Sequence, residues 1–275
     1  MSSSFLRRLA ESGGPKWGWA TWHTLAPCAV GALIGLVWMG PGGILGAALA
    51  AAGLLLALAL ALSSLRRASG GEKGPAHAAW LRGECVALGV AFLGALAYLA
   101  ASLLYAARDS RYLSGVVAAA VGLVALVVIT VGDWRTAADE PERYALVSLS
   151  WLGAIKLGVL GAWLLVRASA GVRLTAWDQT LLSLIILAVI ISLLSFLRWR
   201  TSSARHSGEA GLTFLGARDE LGILASLNSW GGFIAPAALL ALTIANGWTY
   251  TALLAWLLLL AGDGLWRNLL TAPRR

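Results

Sequence analysis

The chain has 275 residues, of which 59% are hydrophobic and 12% charged, about half the charged share of an ordinary soluble domain. That composition excludes a soluble globular enzyme, and the net charge of +8 reads as membrane-flanking basic residues, with no nucleic-acid partner. Only two cysteines occur, Cys28 and Cys85, without CxxC spacing, so an iron–sulfur cluster or structural zinc held by this chain is not expected.

The amino terminus, MSSSFLRRLAESGGPK, has two arginines but no short apolar core with a cleavage site behind it, and is not read as a removed signal peptide. The first apolar run covers 19–39 and has His23 near its start. The second, 44–65, runs through ILGAALAAAGLLLALALALSSL without a charge; about 20 such residues cross the roughly 30 Å hydrocarbon layer as a helix. The third run, 85–106, is entered through Trp80, Arg82 and Glu84, and the fourth covers 113–132. The fifth, 145–166, holds Lys156 in its interior, roughly 16 Å deep at 1.5 Å per residue. The sixth covers 179–197. The seventh, 221–246, contains Asn228, Gly231, Gly232 and Pro236, which predicts a kink or a partly unwound segment. In the eighth, 249–269, Asp263 and Arg267 are four residues apart and share a helix face.

Eight such runs predict an all-α integral membrane protein, a single domain over 1–275 made of two four-helix halves. A short echo between Arg82-Gly83-Glu84 and Arg218-Asp219-Glu220, each opening the third helix of a half, fits that division. No loop is long enough for a soluble domain, which needs about 50 residues. Ten of the fourteen tryptophans (Trp17, Trp19, Trp22, Trp38, Trp80, Trp134, Trp177, Trp199, Trp248 and Trp266) fall near predicted helix ends, where indoles anchor at headgroup level. An even number of spans puts both termini on one side. Sixteen of the 21 Lys and Arg residues fall on that side and four on the other, with Lys156 inside a span. The positive-inside rule then predicts cytoplasmic termini in a bacterial inner membrane, and a cytoplasmic partner on the looped face.

Ionisable residues within spans cost about 2.5–3.5 kcal/mol each on insertion scales, so the few present carry information. Lys156 and Asp263 fit a structural pair between two helices. Glu84 with Arg82 fits a solvated helix start, and His23 an interfacial histidine bonded to a carbonyl. The functional alternative is a slot for a quinone headgroup, which needs hydrogen-bonding groups for two carbonyls and a titratable group. Its candidate residues are His23, Trp80, Arg82, Glu84, Asp263 and Arg267. A bis-histidine haem is not expected: of three histidines, His77 and His206 fall in loops, and such haems need ligands on facing helices.

Three segments carry a resemblance: Thr24-Leu25-Ala26-Pro27-Cys28-Ala29-Val30-Gly31-Ala32, Trp80-Leu81-Arg82-Gly83-Glu84, and Leu260-Ala261-Gly262-Asp263-Gly264-Leu265-Trp266-Arg267. In these the chain resembles the membrane anchor subunit of the dimethyl sulfoxide reductase family, with Asp263 in place of a glutamate. The resemblance implies an exchangeable quinone (ubiquinone or menaquinone) as substrate, with Glu84 matching a glutamate of the quinol site. It also implies an iron–sulfur electron-transfer subunit and a molybdopterin catalytic subunit as partners, docked near Arg66, Arg67, Arg205 and Arg218. The family's His-Leu-Gly turn after the second helix is replaced here by Ser63-Ser64-Leu65-Arg66. Reductase relatives are associated with a periplasmic catalytic dimer, whereas the charge count puts this face in the cytoplasm. The cytoplasm-facing sulfite dehydrogenase anchors are therefore the better fit. A dimethyl sulfoxide-type reductase anchor and a small-solute or ion transporter are the rival readings.

Overall fold

A computed structural model describes residues 3–39, 43–69, 75–104, 108–137, 140–170, 174–206 and 220–271. Eight helices are long and apolar enough to cross a membrane: Gly18–Trp38, Ile44–Arg66, Ala79–Leu104, Asp109–Arg135, Glu140–Arg167, Ala176–Ser202, Ile223–Asn246 and Thr249–Leu270. Among the described residues there is no strand, and the chain is an all-α, eight-helix membrane protein. The first helix begins well before its span, running over Ser3–Trp38.

The helices are sorted inside out relative to soluble ones. In the second span Ala47, Ala50, Ala51, Ala57 and Ala61 are buried, while Leu45, Leu49, Leu55 and Leu56 face outward. Lipid is as apolar as leucine, so association depends on close approach, which small residues permit. Two hydrophobic cores result. One is built mainly from spans one to four, around Trp22, Leu33, Leu54 and Leu88. The other joins spans five to eight around Trp163, Phe196, Phe233 and Trp266. The first span is the seam: Gly31 lies against the carbonyl of Ala154, and Gly158 against the backbone of Cys28 and Gly31.

Helix limits differ from the sequence expectation at three places. The third helix begins at Pro75, so Glu84 lies inside it, and the fourth continues to Thr136, taking in Asp133. The fourth and fifth helices are separated only by residues 137–139, leaving no long loop there. A hydropathy window ends at the first charges, but a helix continues wherever neighbouring spans bury and pair them. The tryptophan belt is also smaller than expected. Trp38, Trp134, Trp177 and Trp248 are exposed as interfacial anchors, but Trp22, Trp199 and Trp266 are buried within the bundle.

The expected irregularity in the seventh span is a π-helical segment, Trp230–Ile234, which ends two residues before Pro236. A second π segment, Ala154–Val159, interrupts the fifth span around Lys156. The glycines and proline announced the first; the sequence AIKLGV announced nothing. Single π turns of this kind cluster at functional positions.

Candidate functional site

Four spans bring ionisable side chains to one buried cluster on the side that carries the termini. His23 comes from the first span, Glu84 from the third, Asp133 from the fourth and Arg267 from the eighth, each 5% exposed or less. His23 is held between two indoles, with ring centroids 4.2 Å from Trp19 and 3.6 Å from Trp22. Its Nδ1 stands 3.1 Å from Asp133 Oδ1. The carboxylate thereby fixes the orientation of the ring, as acid partners of histidine generally do. Ser150 Oγ donates to Asp133 Oδ2 at 3.1 Å, and Arg267 Nη2 donates to Ser150 Oγ at 3.3 Å. Arg267 Nη1 lies 3.9 Å from Asp133 Oδ2. Glu84 is turned onto Gly132, where its Oε1 occupies the space a Cβ would need, and it interacts electrostatically with Asp133.

Two buried nitrogens in this cluster have no hydrogen-bond partner among the described residues: the indole Nε1 of Trp22, a donor, and Nε2 of His23, which accepts in the neutral ring whose Nδ1–H faces Asp133 and donates in the imidazolium. Buried polar atoms of this kind are normally satisfied by protein, water or ligand. Together they suit an oxygen that accepts from the indole and shares a proton with the imidazole, and Glu84, which interacts with the same Asp133, is a second group able to give or take a proton.

Deeper in the membrane, Lys156 Nζ donates to Asp263 Oδ1 at 2.5 Å, both side chains being fully buried. The pair expected from sequence thus forms. The same ammonium lies 5.1 Å from the ring centroid of Phe233, so the π segment of the fifth span faces that of the seventh. Asp263 is on the same face as Arg267, which joins the pair to the outer cluster.

Of the candidate residues, His23, Glu84, Asp263 and Arg267 are therefore brought together. Arg82 is exposed, and Trp80 is half-buried beneath the guanidinium of Arg135 at 4.6 Å; neither joins the cluster. Arg66 is exposed at the end of the second span. The side chains of Arg67 and Arg205, and all of Arg218, lie outside the described residues.

Asp133 and Ser150 were not singled out from sequence, although a signal for Asp133 exists. Gly132-Asp133-Trp134-Arg135 near the end of the fourth span echoes Gly262-Asp263 and Trp266-Arg267 near the end of the eighth. The correspondence extends to packing. Glu84 near the start of the third span rests on Gly132, and Asn228 near the start of the seventh rests on Gly262. The two halves repeat one local design, with an acid in one and an amide in the other.

On the opposite side, Asp178 caps the sixth helix, accepting from the Thr175 backbone N–H at 2.7 Å and hydroxyl at 2.6 Å. It also accepts from Trp163 Nε1 at 2.9 Å and pairs with Arg167. This is a helix start tied to the preceding helix. Asp178→Ala is expected to lower stability by about 1–3 kcal/mol without changing any activity, as thermal melting in detergent beside a turnover assay would register.

Set against known families, curated proteins and solved structures, the chain matches no family model, no curated protein and no solved structure.

Proposed function

We propose that this chain is the quinone-binding membrane anchor of a molybdopterin and iron–sulfur oxidoreductase complex. The observation that carries the reading is the pair of unpartnered buried nitrogens, Trp22 Nε1 and His23 Nε2, in one cluster with Glu84 and the Asp133-backed imidazole. Such a set meets the needs of a quinone headgroup: an indole donor for a carbonyl oxygen, a ring nitrogen that accepts from a quinol hydroxyl or, once protonated, donates to a carbonyl, and acid–base groups for the protons that accompany its two electrons. Quinone supplies the redox chemistry when bound. The chain's own groups orient the headgroup, hold the proton at Glu84 or His23, and keep the site within reach of a partner at the terminus-bearing face.

That face carries most of the basic residues, which supports termini in the cytoplasm of a bacterial inner membrane. The partners would be an iron–sulfur subunit at the basic face around Arg66 and, behind it, a molybdopterin subunit. With a cytoplasmic catalytic side, oxidation of sulfite with reduction of quinone is the favoured direction. Quinol oxidation toward dimethyl sulfoxide or a similar acceptor is the reverse use of the same site.

In the assembled complex, Glu84→Gln is expected to lower quinone-linked turnover by about 100-fold or more, the usual share of one acid–base group. Dye-linked activity of the metal-bearing subunits and their co-purification should persist. Loss of the partners from the membrane would instead make Glu84 a packing residue. A transporter is the second reading, favoured by the buried Lys156–Asp263 pair between two π segments, since transporters set polar sites in interrupted helices near the midplane. Purification in mild detergent distinguishes the two: an anchor travels with a metalloprotein, and a transporter travels alone.

A further inference from the structure

The quinone reading uses the outer cluster and leaves Lys156 and Asp263 without a task. Lys156 is sixteen residues past Glu140 and eleven before Arg167, about 24 Å and 16 Å along the helix, so it lies deep in the membrane. Among the described residues, its three N–H groups have one acceptor, Asp263 Oδ1, and one ring, Phe233. The second carboxylate oxygen, Oδ2, is turned toward Gly153. The other groups facing Asp263 are Arg267 on its own helix and the thiol of Cys28 on the first. As a structural clasp this arrangement is a poor choice, because apolar side chains of similar size hold helices equally well without the desolvation penalty.

The pair is not isolated. Arg267 interacts electrostatically with both Asp263 and Asp133, Ser150 links Arg267 to Asp133, and His23 and Glu84 continue the series toward the terminus-bearing face. Polar side chains thus reach from Asp133, in the last turn of the fourth helix, to the interior of the fifth. The six ionisable members comprise three carboxylates, two cations and one imidazole, so electroneutrality is reached when one proton is shared among them. A charged network in hydrocarbon is favoured at neutrality, which makes that proton the exchangeable element.

From these placements we infer that the series is an intramembrane proton path, opening at the terminus-bearing face and ending at Lys156–Asp263. A proton entering at His23 or Glu84 passes by Asp133 and the Ser150 hydroxyl to Oδ2 of Asp263, which is turned toward Gly153, one helical turn from Ser150, while Arg267 keeps its proton throughout. The Asp263 carboxylate becomes a carboxylic acid, its ion pair with Lys156 is broken, and the ammonium is left against Phe233. Departure of the proton by the same route restores the pair. No electron moves, and one positive charge is carried part of the way into the membrane. This role goes beyond the quinone reading and holds whether or not quinone binds.

The test uses the full chain alone in vesicles of phosphatidylethanolamine and phosphatidylglycerol, without quinone or partner subunits, adsorbed on a capacitive electrode. A pH step on the terminus-bearing side should give a transient displacement current, and the same step on the opposite side none. Asp263→Asn should reduce the transient to the level of empty vesicles, while Asp263→Glu, which keeps a carboxyl, should retain it. The double change Lys156→Met with Asp263→Asn leaves no lone buried ion, so it should fold and also give no current. A wild-type trace like that of empty vesicles, or an undiminished current in the folded double variant, overturns the inference. Because quinone is absent, neither outcome bears on the anchor reading, which Glu84→Gln turnover decides separately.

Discussion

Arg267→Met is expected to destabilise the protein by about 3–5 kcal/mol, the usual cost of removing one partner from a buried ionic network. The guanidinium is 1% exposed, donates to Ser150, and is near both Asp133 and Asp263. Its loss leaves the three buried carboxylates with Lys156 as their one fixed cation, so neutrality needs two added protons in place of one. Heating detergent-solubilised protein and measuring the fraction that stays monodisperse would show a clear fall in the apparent melting temperature. Adding Asp133→Asn to the same chain removes the excess negative charge and should recover most of the loss. If Arg267→Met melts like the wild type, the cluster is solvated and the buried-network account fails.

Gly158→Val is expected to cost about 3 kcal/mol or more, above the usual range for overpacking, because the obstacle is main chain. A Cβ at Gly158 meets the carbonyl of Cys28, the Cα of Gly31 and the amide of Ala32, none of which can rotate away as a side chain would. The collision lies at the seam between the halves, so the fifth span must be pushed off the first, carrying Lys156 away from Asp263. Gly83→Val is the matched control: a Cβ there meets nothing within 4 Å, and the yield of folded protein should be unchanged. Equal yields for the two variants would mean that the first and fifth spans do not pack as closely as described.

The eight spans were legible because lipid demands long uncharged runs, and 44–65 is about as unambiguous as such a run can be. His23, Glu84, Asp263 and Arg267 were legible for the complementary reason, being costly in hydrocarbon. Asp133 was not, because a run that ends in charges reads as a loop; only the burial supplied by the first, third and fifth spans keeps it helical. Trp22, Trp199 and Trp266 misled in the same way, since nearness to a helix end does not say which face of the helix an indole occupies. The π segment around Lys156 has no local signature, in contrast to the Gly-Gly and Pro236 of the seventh span. It arises where the fifth helix packs against Gly31 and Gly35 of the first.

The central claim, that a quinone headgroup sits between the first, third, fourth and eighth spans, is tested most directly by cross-linking with a photoreactive quinone and mapping the modified peptides. The account predicts labelling around Trp22, His23 and Glu84 that unlabelled quinone competes away and Glu84→Gln weakens. Competable labelling confined to other spans, or none above background, would contradict it.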